Sequence, residues 1–167
     1  MSERDPSMAS EKTPPVEPPA TSEWADDSGE WRAARPAVTR GKKVIIVDDD
    51  RDTRMLLQYI LEQQGFQVAQ APSGLRLVSL LHVDRPDVIL LDVMMSWING
   101  FELCRAIKSN PAFRDIPICF ISARADAASM KEGLACGAAA YFVKPLDVED
   151  LVKRVKALID EPPTTSH

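Results

Sequence analysis

Acidic, hydroxyl and ammonium side chains stand in this chain directly after short apolar runs. Asp48, Asp49 and Asp50 follow Val44-Ile45-Ile46-Val47, and Asp92 follows Val88-Ile89-Leu90-Leu91. Ser122 follows the run Ile116 to Ile121, and Lys144-Pro145 follows Ala140 to Val143. Taken singly, each has an ordinary reading, since Asp and Ser cap helices and turns and a lone lysine is usually solvated. If the runs are neighbouring strands, however, their ends meet, and the cluster acquires a chemistry of its own. Crowded carboxylates repel one another, so such a site must take up a proton, a cation or a basic partner. Mg2+ suits it, because this ion prefers octahedral oxygen ligands, keeps some waters and uses one or two carboxylates beside phosphate oxygens. Asp49 and Asp92 would ligate directly, Asp48 would hold a metal-bound water, and the Met94 backbone carbonyl would supply a further oxygen. With its charge masked, Asp92 can attack phosphorus as a carboxylate nucleophile and become an aspartyl phosphate. The transferring group spreads negative charge over its oxygens, and Lys144, the Ser122 hydroxyl and nearby backbone N–H groups are the available donors. Pro145 also admits a cis bond after Lys144.

The runs read as strands covered on both faces, because they are short and almost continuously apolar. Gln67 to Gln70 is a weaker strand, expected at an edge. Between them lie segments of helical period: Met55, Leu56, Ile60 and Leu61 form one stripe, Leu75, Val78 and Leu81 another. Phe101 to Ile107 and Met130 to Cys136 are shorter. Val148, Leu151, Val152, Val155, Leu158 and Ile159 give the clearest stripe, opened by Asp147 as an acidic N-cap. Strands alternating with helices imply parallel pairing through right-handed crossovers, hence a doubly wound α/β fold with helices on both faces. In such folds ligands bind beyond the carboxyl ends of the strands, where the candidate residues stand.

Composition bounds the function. With 167 residues, the chain has room for one compact domain and a tail. A net charge of −5 and no long Lys/Arg cluster argue against direct nucleic-acid binding. No apolar run approaches the roughly 18 residues of a membrane span, and no signal peptide is evident, which predicts a cytoplasmic location without membrane contact. Cys104, Cys119 and Cys136 are widely spaced in apolar surroundings and read as core residues rather than metal ligands. Residues 1–40 lack Leu, Ile and Phe, hold six of the 13 prolines and carry eight acidic against five basic residues, the signature of a disordered tail. Trp24 and Trp31 would share one face if that tail became helical. The expected division is a tail over 1–40, a domain over 41–160 and a short tail over 161–167.

Val47-Asp48-Asp49, Leu90-Leu91-Asp92-Val93-Met94-Met95 with Gly100, Ile121-Ser122-Ala123 and Val143-Lys144-Pro145 together resemble the receiver domain of bacterial two-component response regulators. The resemblance implies a five-stranded flavodoxin-like sheet of order 2-1-3-4-5 and a cytoplasmic phosphorelay protein. It implies phosphotransfer to Asp92 from a histidine kinase or histidine phosphotransfer protein, self-dephosphorylation and no other enzymatic turnover. Asp48 and Asp49 match the acidic pair, Lys144 the family lysine, and Ser122 and Tyr141 the switch residues. Ser122 would move toward the phosphate and Tyr141 inward, remodelling the face of the fourth helix, fifth strand and fifth helix. That face would then meet a downstream protein target, the chain acting as a monomer or a phosphorylation-dependent dimer. No output domain is expected after the last helix.

The chain also departs from the family pattern. Ser96 stands where the family usually has proline, and Ser96-Trp97-Ile98-Asn99-Gly100 replaces the usual sequence after it. Trp97 would contact a partner or shield the site. Met94 and Arg124 would line the route of water to the phosphate and slow self-hydrolysis. The altered loop also admits a pseudo-receiver, a binding module that does not use phosphorylation, against which the retained Asp48, Asp49, Asp92, Ser122 and Lys144 weigh. A phosphatase with an aspartate nucleophile would want a second acid where Met94 stands. A histidine kinase would need a bundle histidine, and the chain has only His82 and His167.

Overall fold

A computed structural model of the chain describes residues 41–160. The expectations for residues 1–40, including Trp24 and Trp31, and for 161–167 lie outside these described residues. Ten elements alternate along the chain: β1 (Lys43–Val47), α1 (Arg51–Gln63), β2 (Gln67–Ala71), α2 (Gly74–Val83), β3 (Val88–Asp92), α3 (Gly100–Ser109), β4 (Ile118–Ser122), α4 (Ala127–Ala135), β5 (Ala140–Val143) and α5 (Val148–Asp160). The strands form one parallel sheet in the order β2-β1-β3-β4-β5.

Alternation along each strand divides the core into two layers. Ile45, Val47, Ile89, Leu91 and Phe120 pack with Leu77 and Leu81 of α2, Phe101, Leu103, Cys104 and Ile107 of α3, and Cys136. Val44, Ile46, Val88, Leu90, Cys119 and Ile121 pack on the opposite face with Leu57 and Leu61 of α1 and Leu151 and Val155 of α5. β3 and β4 are buried at every position, as strands roofed on both sides must be. β5 is only half-buried throughout, because it is a sheet edge rather than the fully covered strand its apolar sequence suggested. β2 is the expected edge.

The structure turns two helices relative to the sequence reading. On α1 the buried side chains are Leu57 and Leu61, whereas Met55 and Leu56 are at least half exposed. On α2 the buried side chains are Leu77 and Leu81, and Leu75 is 80% exposed. Both helices carry apolar residues on more than one side, so periodicity alone does not fix which stripe meets the sheet. Asp147 caps α5 as expected, its carboxylate accepting from the Asp150 N–H at 3.1 Å. The three cysteines are buried free thiols, and burial pushes Cys104 up to about 11. Among the described residues no helix is long and apolar enough to cross a membrane.

Candidate functional site

Strand register carries the chemical residues to one end of the sheet. Val47 lies beside Leu91, Asp92 beside Ile121, and Ser122 beside Val143. The next residues therefore converge: carboxylate oxygens of Asp48, Asp49 and Asp92 all lie within 4.8 Å of one another. Lys144, whose peptide bond to Pro145 is cis, places Nζ 3.2 Å from Asp48 Oδ2 and 3.9 Å from Asp92 Oδ1. Asp48 is 2% exposed and Asp92 6%, while Asp49 faces solvent. Asp50, the third acidic residue of the run, belongs to the helix instead. It is the N-cap of α1 and accepts from the Thr53 hydroxyl and the Thr53 N–H, which together hold its carboxyl below the usual range.

Burial, reinforced by the neighbouring Asp48 carboxylate, pushes Asp92 up to about 6. Lys144 and the Met94 N–H, 3.4 Å from Asp92 Oδ1, act in the opposite direction and do not offset it. One ammonium for three carboxylates leaves the pocket short of positive charge. An all-oxygen donor set with an open side toward Asp49 fits a hard divalent cation better than a soft one.

The surrounding backbone fixes these groups. The Asp48 Oδ1 accepts from the Asp50 N–H at 2.9 Å, and the Asp48 carbonyl accepts from Arg54 Nη1 at 2.7 Å. Arg54 Nε in turn donates to Gln70 Oε1 at 3.0 Å, tying the acidic turn to edge strand β2. Asp49 Oδ2 accepts from the Ser96 N–H at 2.9 Å. Gly100 closes the loop after Asp92, donating its N–H to the Val93 carbonyl at 2.8 Å. A Cβ there would overlap the Asp92 carbonyl and lie 2.8 Å from the Val93 Cα, so glycine is required by close backbone approach rather than by φ.

Ser122 is fully buried at the end of β4, its Oγ accepting from the Arg124 N–H at 3.0 Å. The carbonyl of that same residue accepts from the Tyr141 hydroxyl at 2.9 Å. The Tyr141 ring lies 6.0 Å from that of Phe120, and a Cβ on Gly133 would approach it to 2.9 Å, so α4 crosses directly over the aromatic. Arg124 thus connects the two expected switch residues through its backbone.

A family profile described as the response regulator receiver domain matches residues 44–156. The chain belongs to that family. Over 116 residues this receiver domain is 40% identical to the transcriptional regulatory protein CseB of Streptomyces coelicolor, covering 70% of this chain and 48% of that protein. Among solved structures it matches the signal receiver domain of a DNA binding response regulator protein from Colwellia psychrerythraea. The TM-score is 0.68 at 30% identity, over 72% of this chain and 99% of that one. Vibrio cholerae chemotaxis protein CheY4 matches with a TM-score of 0.66 at 30% identity, over 71% of this chain and 98% of that one. The chain spans about half the length of the curated relatives it matches.

The structure thus brings Asp48, Asp49, Asp92 and Lys144 of the receiver domain into one pocket and sets Ser122 and Tyr141 on one connected path beside it. Sequence reasoning did not find Arg54, the Ser96 N–H or Gly74, against which the Trp97 ring rests. Arg54 carried a weak signal as a cation one helical turn into α1. A backbone donor and a glycine beneath a ring carry none.

Proposed function

We propose that the receiver domain is a phosphorylation-dependent signalling switch that accepts a phosphoryl group on Asp92 from a phosphohistidine of a kinase or phosphotransfer protein. The observation that carries this reading is the convergence of three carboxylates with Lys144 Nζ set between Asp48 and Asp92. Asp48, Asp49, Asp92 and the Met94 carbonyl would hold Mg2+, which neutralises the pocket and stabilises charge on the transferring group. In the transfer, the P–N bond to the donor imidazole breaks as a P–O bond forms to the Asp92 carboxylate. The imidazole leaves with the electron pair and recovers a proton from solvent. Lys144 keeps its ammonium near Asp92, where a phosphoryl oxygen needs a donor, and burial of Asp92 and Ser122 limits water around the new bond. Ser122 offers its hydroxyl to the phosphoryl group, which releases the Arg124 N–H and, through the Arg124 carbonyl, Tyr141. The face of α4, β5 and α5 is the surface remodelled for a downstream protein.

Incubation with Mg2+ and acetyl phosphate, followed by intact-mass measurement, tests the acceptor. One added phosphoryl group is expected, absent with chelator and absent in Asp92→Asn. No added mass in the parent protein under these conditions would favour the pseudo-receiver instead.

A further inference from the structure

We propose that Ser96 and Trp97 clamp the exposed cation ligand Asp49, the Ser96 N–H holding one carboxylate oxygen while the Trp97 ring anchors the loop on Gly74 of α2. The inference rests on the reading of Asp49 as a cation ligand.

Asp49 stands on the exposed turn between β1 and α1, so its carboxylate would have to be ordered at the moment a cation binds. The Ser96 N–H, 2.9 Å from Oδ2, orders it beforehand and leaves the carboxylate lone pairs that the N–H does not occupy for the ion. Carboxylates that ligate metals are commonly held in this way, and loss of such support typically costs about 10–100-fold in metal affinity. The donor is a backbone group, so a proline at this position could not supply it.

A hydrogen bond from an exposed loop positions a carboxylate only if the loop itself is held. At its base, Met94 and Asn99 form an antiparallel bridge, and the Gly100 N–H binds the Val93 carbonyl. At its tip, the Trp97 ring lies against Gly74 in the first turn of α2, where a Cβ would overlap Cζ3 and Cη2. The Ser73 hydroxyl caps that helix by accepting from the Arg76 N–H at 3.2 Å, so the ring rests on a fixed platform. Trp97 is 41% exposed, so the ring is partly covered while it rests on Gly74. Trp97 and Gly74 therefore form a matched pair, an unusually large side chain on the acceptor loop over a residue with none.

Titration of the full chain with Mg2+ alone, followed by backbone amide shifts and without any phosphodonor, reads the clamp directly. Ser96→Pro is expected to weaken Mg2+ about tenfold, whereas Ser96→Ala, which keeps the N–H, retains the affinity. Trp97→Ala and Gly74→Ala are each expected to weaken it several-fold. Their double variant should be no weaker than either single one, because both release the same contact. Gly74 does not have a positive φ, so its backbone accepts alanine and the effect reports displacement of the ring. Thermal unfolding in chelator identifies any variant that fails to fold, and the Trp97 and Gly74 variants decide the matter if Ser96→Pro is one. Unchanged Mg2+ affinity in folded Trp97→Ala and Gly74→Ala would overturn the clamp. A parent protein that binds Mg2+ yet takes no phosphoryl group from acetyl phosphate would instead count against the proposed switch, leaving the clamp measurable.

Discussion

At Asp92, burial and the Asp48 carboxylate oppose ionisation more strongly than Lys144 and the Met94 N–H favour it. The sign of the consequence for stability follows from proton linkage. A carboxyl raised from 3.8 to about 6 binds its proton more tightly in the folded chain than in the unfolded one. The metal-free protein is therefore favoured fully below about pH 4 and loses that contribution as pH rises through 6. Asp92→Asn removes the titration, and at pH 7.5 in chelator it should raise unfolding free energy by on the order of 2 kcal/mol. The gain should shrink as the pH is lowered to 4, and urea unfolding at the two pH values measures it. Lys144 acts on the same pocket in the opposite direction. Lys144→Ala removes a cation that repels any second cation, so Mg2+ should bind several-fold more tightly while phosphoryl acceptance from acetyl phosphate slows. Both loss of Mg2+ affinity and undiminished phosphorylation in that variant would contradict the assigned role.

Helices and strands position these residues with unequal tolerance. Leu56 and Leu57 are adjacent leucines on α1, yet one is 58% exposed and the other buried against β1 and β3. Leu57→Ala should cost about 2–5 kcal/mol of stability and Leu56→Ala well under about 1 kcal/mol, as urea unfolding will register. Gly100→Ala should cost about 3 kcal/mol, because the new methyl meets backbone of Asp92 and Val93 that cannot rotate away. The contrast between the two leucines also marks what the sequence can convey. Strand ends were legible, since an apolar run followed by Asp, Ser or Lys has few other places in a doubly wound sheet. Helix phase was not legible where apolar residues surround the helix, as at Met55 to Leu57 and Leu75 to Val78. Nor were the contacts of Arg54, Ser96 and Trp97, each of which depends on distances between segments far apart in the chain. Asp50 shows the converse, an acidic residue in the right run whose side chain is used by the helix cap.

Across the whole molecule, a short chain of hydrogen-bonded groups runs from the pocket to β5, in the face proposed for output. Ser122 Oγ, the backbone N–H and carbonyl of Arg124, and the Tyr141 hydroxyl are linked by hydrogen bonds of 3.0 and 2.9 Å. Each bond contributes about 0.5–1.5 kcal/mol. Together they bias a two-state equilibrium by roughly tenfold or more, enough for one phosphoryl group to reverse if it recruits Ser122. Gly133 and Phe120 bound the ring of Tyr141, and its hydroxyl holds the loop carbonyl. Ser122→Ala should therefore separate chemistry from response. Asp92 should still gain a phosphoryl group from acetyl phosphate, because Lys144 and the acidic pair are intact. Amide hydrogen exchange over residues 124–141 should then change on phosphorylation in the parent protein and stay nearly constant in Ser122→Ala. Equal changes in both would place the coupling on another path, and the α3 side of the acceptor loop, joined to Asp92 through Gly100, would be the segment to follow next.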